Sequence, residues 1–135
     1  MKTKFACPRC RSVLNPGEAI VLAVRVGDAR GLIQLSPEPA DYRYVCDDSF
    51  GDHLQIGDEV DFACPVCCED LTSPHSEKLV EILILTPDDE VHAAQFSRIC
   101  GEHATFVHDG RETRSFGKDR SRFDDLTFDE HDRWW

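Results

Sequence analysis

Two copies of one short motif, FACPRC at residues 5–10 and FACPVC at 62–67, constrain this chain more than anything else in it. In each copy two cysteines stand two residues apart. That spacing lets the backbone turn tightly and aim both sulfurs at one point, and the proline after the first cysteine presets φ for the turn. Two such pairs supply four thiolates, and tetrahedral Zn²⁺ takes four soft ligands at about 2.3 Å. Cys7, Cys10, Cys64 and Cys67 are therefore the expected ligands of one zinc ion. A four-thiolate site leaves no position for water, so it is expected to contribute folding free energy, about 10–16 kcal/mol in comparable zinc peptides, and no chemistry. Whatever the fold, it must bring residue 10 to residue 64.

The stretch between the copies reads as β-strands. AIVLAVRV (19–26), GLIQLS (31–36) and YRYVC (42–46) are apolar or alternating runs rich in Val, Ile and Tyr, broken by GDAR and PEPAD. VDFA (60–63) leads straight into the second motif, so both cysteine pairs are expected to begin at strand ends. Further on, KLVEILILT (78–86) and EVHAAQFSRI (90–99) flank PDD, the second of them a strand or a short helix. ATFVH (104–108) and RETRSF (111–116) flank Asp109-Gly110, the stronger hairpin signal, because a type I′ turn takes positive φ at both central residues and Asp-Gly tolerates it. From about residue 117 the apolar pattern fades into charge. The expectation is one mainly β domain over 1–116, its antiparallel hairpins extending from the two cysteine knuckles, followed by an irregular acidic, aromatic tail over 117–135.

Composition agrees with a folded domain. At 135 residues, 41% hydrophobic and 30% charged, the chain has enough apolar material for a core. Its longest apolar runs, such as Ile82 to Leu85, fall far short of the roughly 20 residues of a membrane span. No apolar stretch follows the basic MKTK start, so a cytoplasmic, thiol-reducing setting is expected, in which paired cysteines bind metal more readily than they form disulfides. The formal charge of −11 opposes broad attraction to nucleic acid or to an anionic membrane.

With CPRC and CPVC in these positions the chain resembles a zinc ribbon, in which two such knuckles share one metal at the ends of β-hairpins. MKTKFACPRC, LIQLSPE and FSRICGEHATF make it similar, over most of its length, to small bacterial zinc-ribbon proteins of unassigned function. The resemblance implies a fold and a metal but no activity. The gap between knuckles is longer than in minimal ribbons, which implies that the inserted hairpins extend the sheet. Rubredoxin is the competing resemblance. Its knuckles usually place Gly after the second cysteine, where Arg11 and Cys68 stand here, and this departure disfavours iron.

Three cysteines remain. Cys46, Cys68 and Cys100 read first as small buried hydrophobes, although Cys68, next to a ligand, is placed for redox exchange with it. Cys100 and His103, in CGEH, have metal-ligand spacing, and Cys46 with His53 would complete a second site, but nothing in the sequence brings 46 near 100. No catalytic motif is present, and an enzyme is not the expectation. The basic run RETRSFGKDRSR reads as a hairpin edge protected by charge, ahead of an RNA-contacting strip. In the tail, Phe123, Leu126, Phe128, Trp134 and Trp135 alternate with acids. Docking on the body of this chain or on a second copy, as a homodimer, is preferred over a groove in a partner.

The resulting expectation is a cytoplasmic zinc protein with a structural four-cysteine site, acting as a protein-binding adaptor whose partner the sequence does not name. The alternatives are a thiol redox zinc switch, a rubredoxin-like electron carrier, and an RNA-, ribosome- or transcription-associated ribbon.

Overall fold

In the computed structural model, which describes residues 3–109 and 111–123, the strands form two antiparallel sheets. The first contains β1 (Lys4–Ala6), β6 (Leu79–Leu85), β7 (Val91–Ser97), β8 (Thr105–His108) and β9 (Thr113–Phe116), in that spatial order. The second is built from the insert between the motifs: β2 (Ile20–Val26), β3 (Ala29–Leu35), β4 (Tyr44–Cys46) and β5 (Asp61–Ala63), in the order β4-β3-β2-β5. The insert thus extends the β structure as a second layer.

Period-two alternation decides the layering. Ile20, Leu22 and Val24 on β2 and Ile33 on β3 face the same core as Val80 and Ile82 on β6 and Ala94 on β7, with Phe5 and Phe62 beside the knuckles. The LVEILIL run of β6 is buried on both sides, which is why it reads as nearly continuous apolar sequence rather than alternation. Its other face meets a second cluster, Leu79, Ala104, Phe106 and Phe123. EVHAAQFSRI is a strand and not a helix, because full pairing of Leu79–Leu85 with Val91–Ser97 satisfies its backbone.

Turn chemistry follows the sequence in one hairpin and departs from it in another. β2 and β3 join through a two-residue turn with Gly27 at φ 57° in its first position. The β8–β9 hairpin also forms, but His108 pairs with Thr113, leaving a four-residue loop in place of the two-residue type I′ turn. The Asp109 carboxylate accepts hydrogen bonds from the Arg111 and Glu112 amides at 2.8 and 2.9 Å, and this Asx geometry holds the wider loop.

Two short helical pieces escaped the sequence reading. α1 (Asp48–Gly51) buries Phe50 against β3, and a 3₁₀ turn at Arg120–Phe123 seats the Phe123 ring edge-on to Phe106 with centroids 5.7 Å apart. Phe123 is thus docked on its own sheet, while Leu126, Phe128, Trp134 and Trp135 lie outside the described residues. Among the described residues no helix is long and apolar enough to cross a membrane.

The two sheets do not fill the space between them. A mainly apolar cavity of about 360 Å³ runs from Phe5 and Phe62, next to the knuckles, toward the 36–44 and 98–105 loops, where it opens. Sealed and empty, such a void would cost on the order of 9 kcal/mol at roughly 24 cal/mol per Å³, comparable to the whole stability of a domain. Being open it admits water, which apolar walls solvate poorly.

Candidate metal centre

The two knuckles are one structure made twice. Each leaves a short strand, β1 or β5, and folds back on it: Ala6 bridges Val13, and Ala63 bridges Asp70. The amides of Cys7 and Cys64 donate to the carbonyls of Ser12 and Glu69, and those of Leu14 and Leu71 donate to Phe5 and Phe62. Leu14 and Leu71 are both fully buried. The repeat is therefore longer than the cysteine motif, F-A-C-P-x-C followed by three residues and Leu, with Phe and Leu packing each knuckle onto the core. The matching Leu was the signal in the sequence that would have shown this.

Within each knuckle the first sulfur accepts backbone hydrogen bonds. Cys7 Sγ receives the Arg9 and Cys10 amides at 3.3 and 3.5 Å, and Cys64 Sγ receives the Val66 and Cys67 amides at the same two distances. These bonds hold each first sulfur in place at the centre of its turn. The turn closes with the Arg11 and Cys68 amides donating to the Cys7 and Cys64 carbonyls, both at 2.9 Å. Arg11 and Cys68 pay for that closure with left-handed backbone, at φ 65° and 66°. The positions where glycine would be easiest keep the same conformation without it.

All four sulfurs lie within 4.8 Å of one another. Across the knuckles Cys7 Sγ is 3.8 Å from Cys67 Sγ, and Cys10 Sγ is 3.7 Å from Cys64 Sγ. A tetrahedron of sulfurs at about 2.3 Å from a central ion has edges of about 3.8 Å. The four side chains fit a single tetrahedral metal with no fifth position. Cys7 and Cys64 are buried, Cys67 is half-buried and Cys10 is exposed. Burial raises the Cys7 thiol, whereas the Ser12 hydroxyl, 3.2 Å from Cys10 Sγ, draws Cys10 down to about 6. At Cys67 a hydrogen bond with the Glu69 backbone pulls downward, but burial and the neighbouring thiols outweigh it and push that thiol up to about 12. Four thiols this close resist joint ionisation until a cation neutralises them.

Placement on the two sheets gives the site its mechanical role. Cys7 and Cys10 follow β1, the edge strand of the first sheet, and Cys64 and Cys67 follow β5, the edge strand of the second. An ion here would fasten one layer to the other at one end of the sandwich.

No further cluster of metal-ligating side chains occurs among the described residues. His53 is exposed. Cys46 and Cys100 do come within electrostatic reach of one another, which nothing in the sequence indicated, because β4 carries Tyr44 and Cys46 past the loop holding Cys100. Burial raises both thiols, so neither is poised as a thiolate. His103 lies flat on Tyr42, ring centroids 4.3 Å apart and planes 1° from parallel. Cys68 is exposed and stands outside the group of four sulfurs. The basic 111–116 run forms edge strand β9 with Thr113, Arg114 and Ser115 exposed, the geometry of a charge-protected edge.

No family model matches the chain, and no curated protein and no solved structure matches it.

Proposed function

We propose that this protein is a zinc-clasped β-sandwich that acts as a protein-binding module, the four-cysteine site being structural. The observation that carries the reading is the group of four sulfurs bridging the edge strands of the two sheets, a ligand set that leaves no open coordination position. Zinc is our choice of ion for a closed four-thiolate site, and seven free thiols suit a reducing cytoplasm. An open edge supports the binding role. β4 is the last strand of its sheet, with Tyr44 47% and Val45 65% exposed, and Leu32 on β3 is 53% exposed. A partner strand could add there through main-chain hydrogen bonds, with these side chains as anchors.

The test has two arms. Metal analysis of the purified full chain should find one zinc and no colour; iron with visible absorption would indicate an electron carrier instead. Zinc lost on mild peroxide treatment would indicate a redox switch. For the binding role, a partner captured from the native cell should be lost with Val45→Lys while zinc content is unchanged, and recovery of RNA in place of protein would overturn the module reading.

A further inference from the structure

The cavity between the sheets is a larger feature than structural packing requires. We infer that it is a binding site for one small, uncharged, mainly apolar molecule. At about 360 Å³ it falls in the range of small-molecule sites, which begins near 300 Å³. Given a share of roughly 30 Å³ per water in the liquid, it has room for a ligand of about a dozen non-hydrogen atoms.

The walls set the ligand's body. Phe5 and Phe62, the aromatic residues of the repeated motif, close the inner end, and Phe62 stands edge-on to Phe96 at 5.3 Å. Ile33, Ile82 and Ala94 line the sides from both sheets.

The mouth sets the ligand's charge. Both arginines there are already engaged: Arg43 with Asp41 at 2.7 Å, and Arg98 with Asp61 at 3.3 Å. Glu102 is paired with Arg122 at 3.1 Å, and Glu38 adds a further negative charge. An anionic head would meet carboxylates and two guanidinium groups already paired with carboxylates, only the buried Arg98 Nε lacking a partner, so most of its desolvation would go uncompensated. The polar feature suited to a neutral ligand is the Tyr42–Thr105 hydroxyl pair, bonded at 2.8 Å, which retains lone pairs and a proton for one hydroxyl or carbonyl group. Ile56, 89% exposed at the rim and touching the space above Gly101, gives the entrance an apolar lip.

Fluorescence titration of the full chain with the uncharged, polarity-sensitive dye 4-(dimethylamino)benzonitrile, which at about eleven non-hydrogen atoms matches the room available, tests the inference. A saturable single-site rise in emission is expected, reversed by decanol, with decanoate competing about tenfold or more weakly. Ala94→Phe fills the cavity from β7 and should abolish the dye signal while zinc content is kept and Tm is unchanged or higher. Should that variant fail to fold, Ile56→Asp at the exposed rim should weaken dye binding about fivefold or more through the charge it brings to the entrance. Val45→Asp, outside the cavity, should leave the titration as it was. Absence of saturable binding, equal competition by decanoate, or undiminished binding in a folded Ala94→Phe or Ile56→Asp protein would each overturn the proposal.

Discussion

Arg11 and Cys68 show what a single residue can be made to do when a turn is over-determined. Both sit at left-handed φ, a conformation that costs an L-residue roughly 1–2 kcal/mol, and both are held there by an amide bonded to the first cysteine's carbonyl. Glycine would adopt it freely. Cys68→Gly, which touches no ligand sulfur, should therefore raise stability by about 0.5–1 kcal/mol at unchanged zinc content, read as the shift in denaturant midpoint; an equal loss would mean that the Cys68 side chain makes a contact that matters. The ligands behave oppositely. Cys64→Ser should lose metal and cooperative melting together, since the three remaining sulfurs leave the coordination incomplete, whereas Cys46→Ser and Cys100→Ser should retain one zinc. Metal analysis paired with a thermal scan on the three variants decides the matter, and full zinc occupancy with unaltered melting in Cys64→Ser would remove the clasp. The four clustered cysteines were legible in the sequence because chelation would impose their spacing. The left-handed residues were not, because Arg and Cys give no local sign of positive φ.

At the scale of elements, the strands were legible where alternation or continuous burial marked them, and the irregular pieces were not. α1 lies on β3 because Gly31 leaves room: a Cβ there would come within 2.8 Å of Phe50 Cβ. β9 ends in a tighter approach. Gly117 has φ 99°, and an added Cβ would lie 2.6 Å from both the His103 carbonyl carbon and the Tyr42 hydroxyl oxygen. The Asp119 amide and carboxylate then lock the same loop, donating to the His103 carbonyl at 2.9 Å and accepting from its amide at 3.0 Å. Gly117→Ala is thus expected to cost about 2–4 kcal/mol, through backbone strain and a clash with main chain that has little freedom to yield. Denaturant unfolding measures it, and a loss under about 0.5 kcal/mol would show that the 103 loop moves aside easily. Nothing in SFGKDR announces this contact, since the partner loop is brought in by the sheet.

For the molecule as a whole, two buried ionisable groups in the same sheet should set opposing pH dependences. Burial raises Glu81 on β6 to about 7 from an ordinary 4.5, against the smaller pull of Arg9 and then Gln95. Burial lowers His108 on β8 to about 4 from 6.5, helped by His75 and opposed by Asp109. With its folded value raised, Glu81 contributes fully below pH 4.5, and that contribution is lost as pH rises toward 7. With its folded value depressed, His108 contributes fully above pH 6.5 and loses it as pH falls toward 4. Each window is worth about 3 kcal/mol at 1.36 kcal/mol per unit, and the two largely offset between pH 4.5 and 6.5. Glu81→Gln should unmask the histidine, so that stability falls by about 3 kcal/mol from pH 6.5 to 4; a flat profile in that variant would show that His108 is not held neutral. By itself the sequence determined which four cysteines come together, the β class and most strand positions. These follow from chelate spacing and from side-chain period, which act over a few residues and are written locally. Only the tertiary structure decided that the insert folds as a second layer, that the four sulfurs gather at the edge strands of two sheets, and that a cavity remains between them. Those outcomes depend on how whole apolar faces meet across distances that no local pattern encodes.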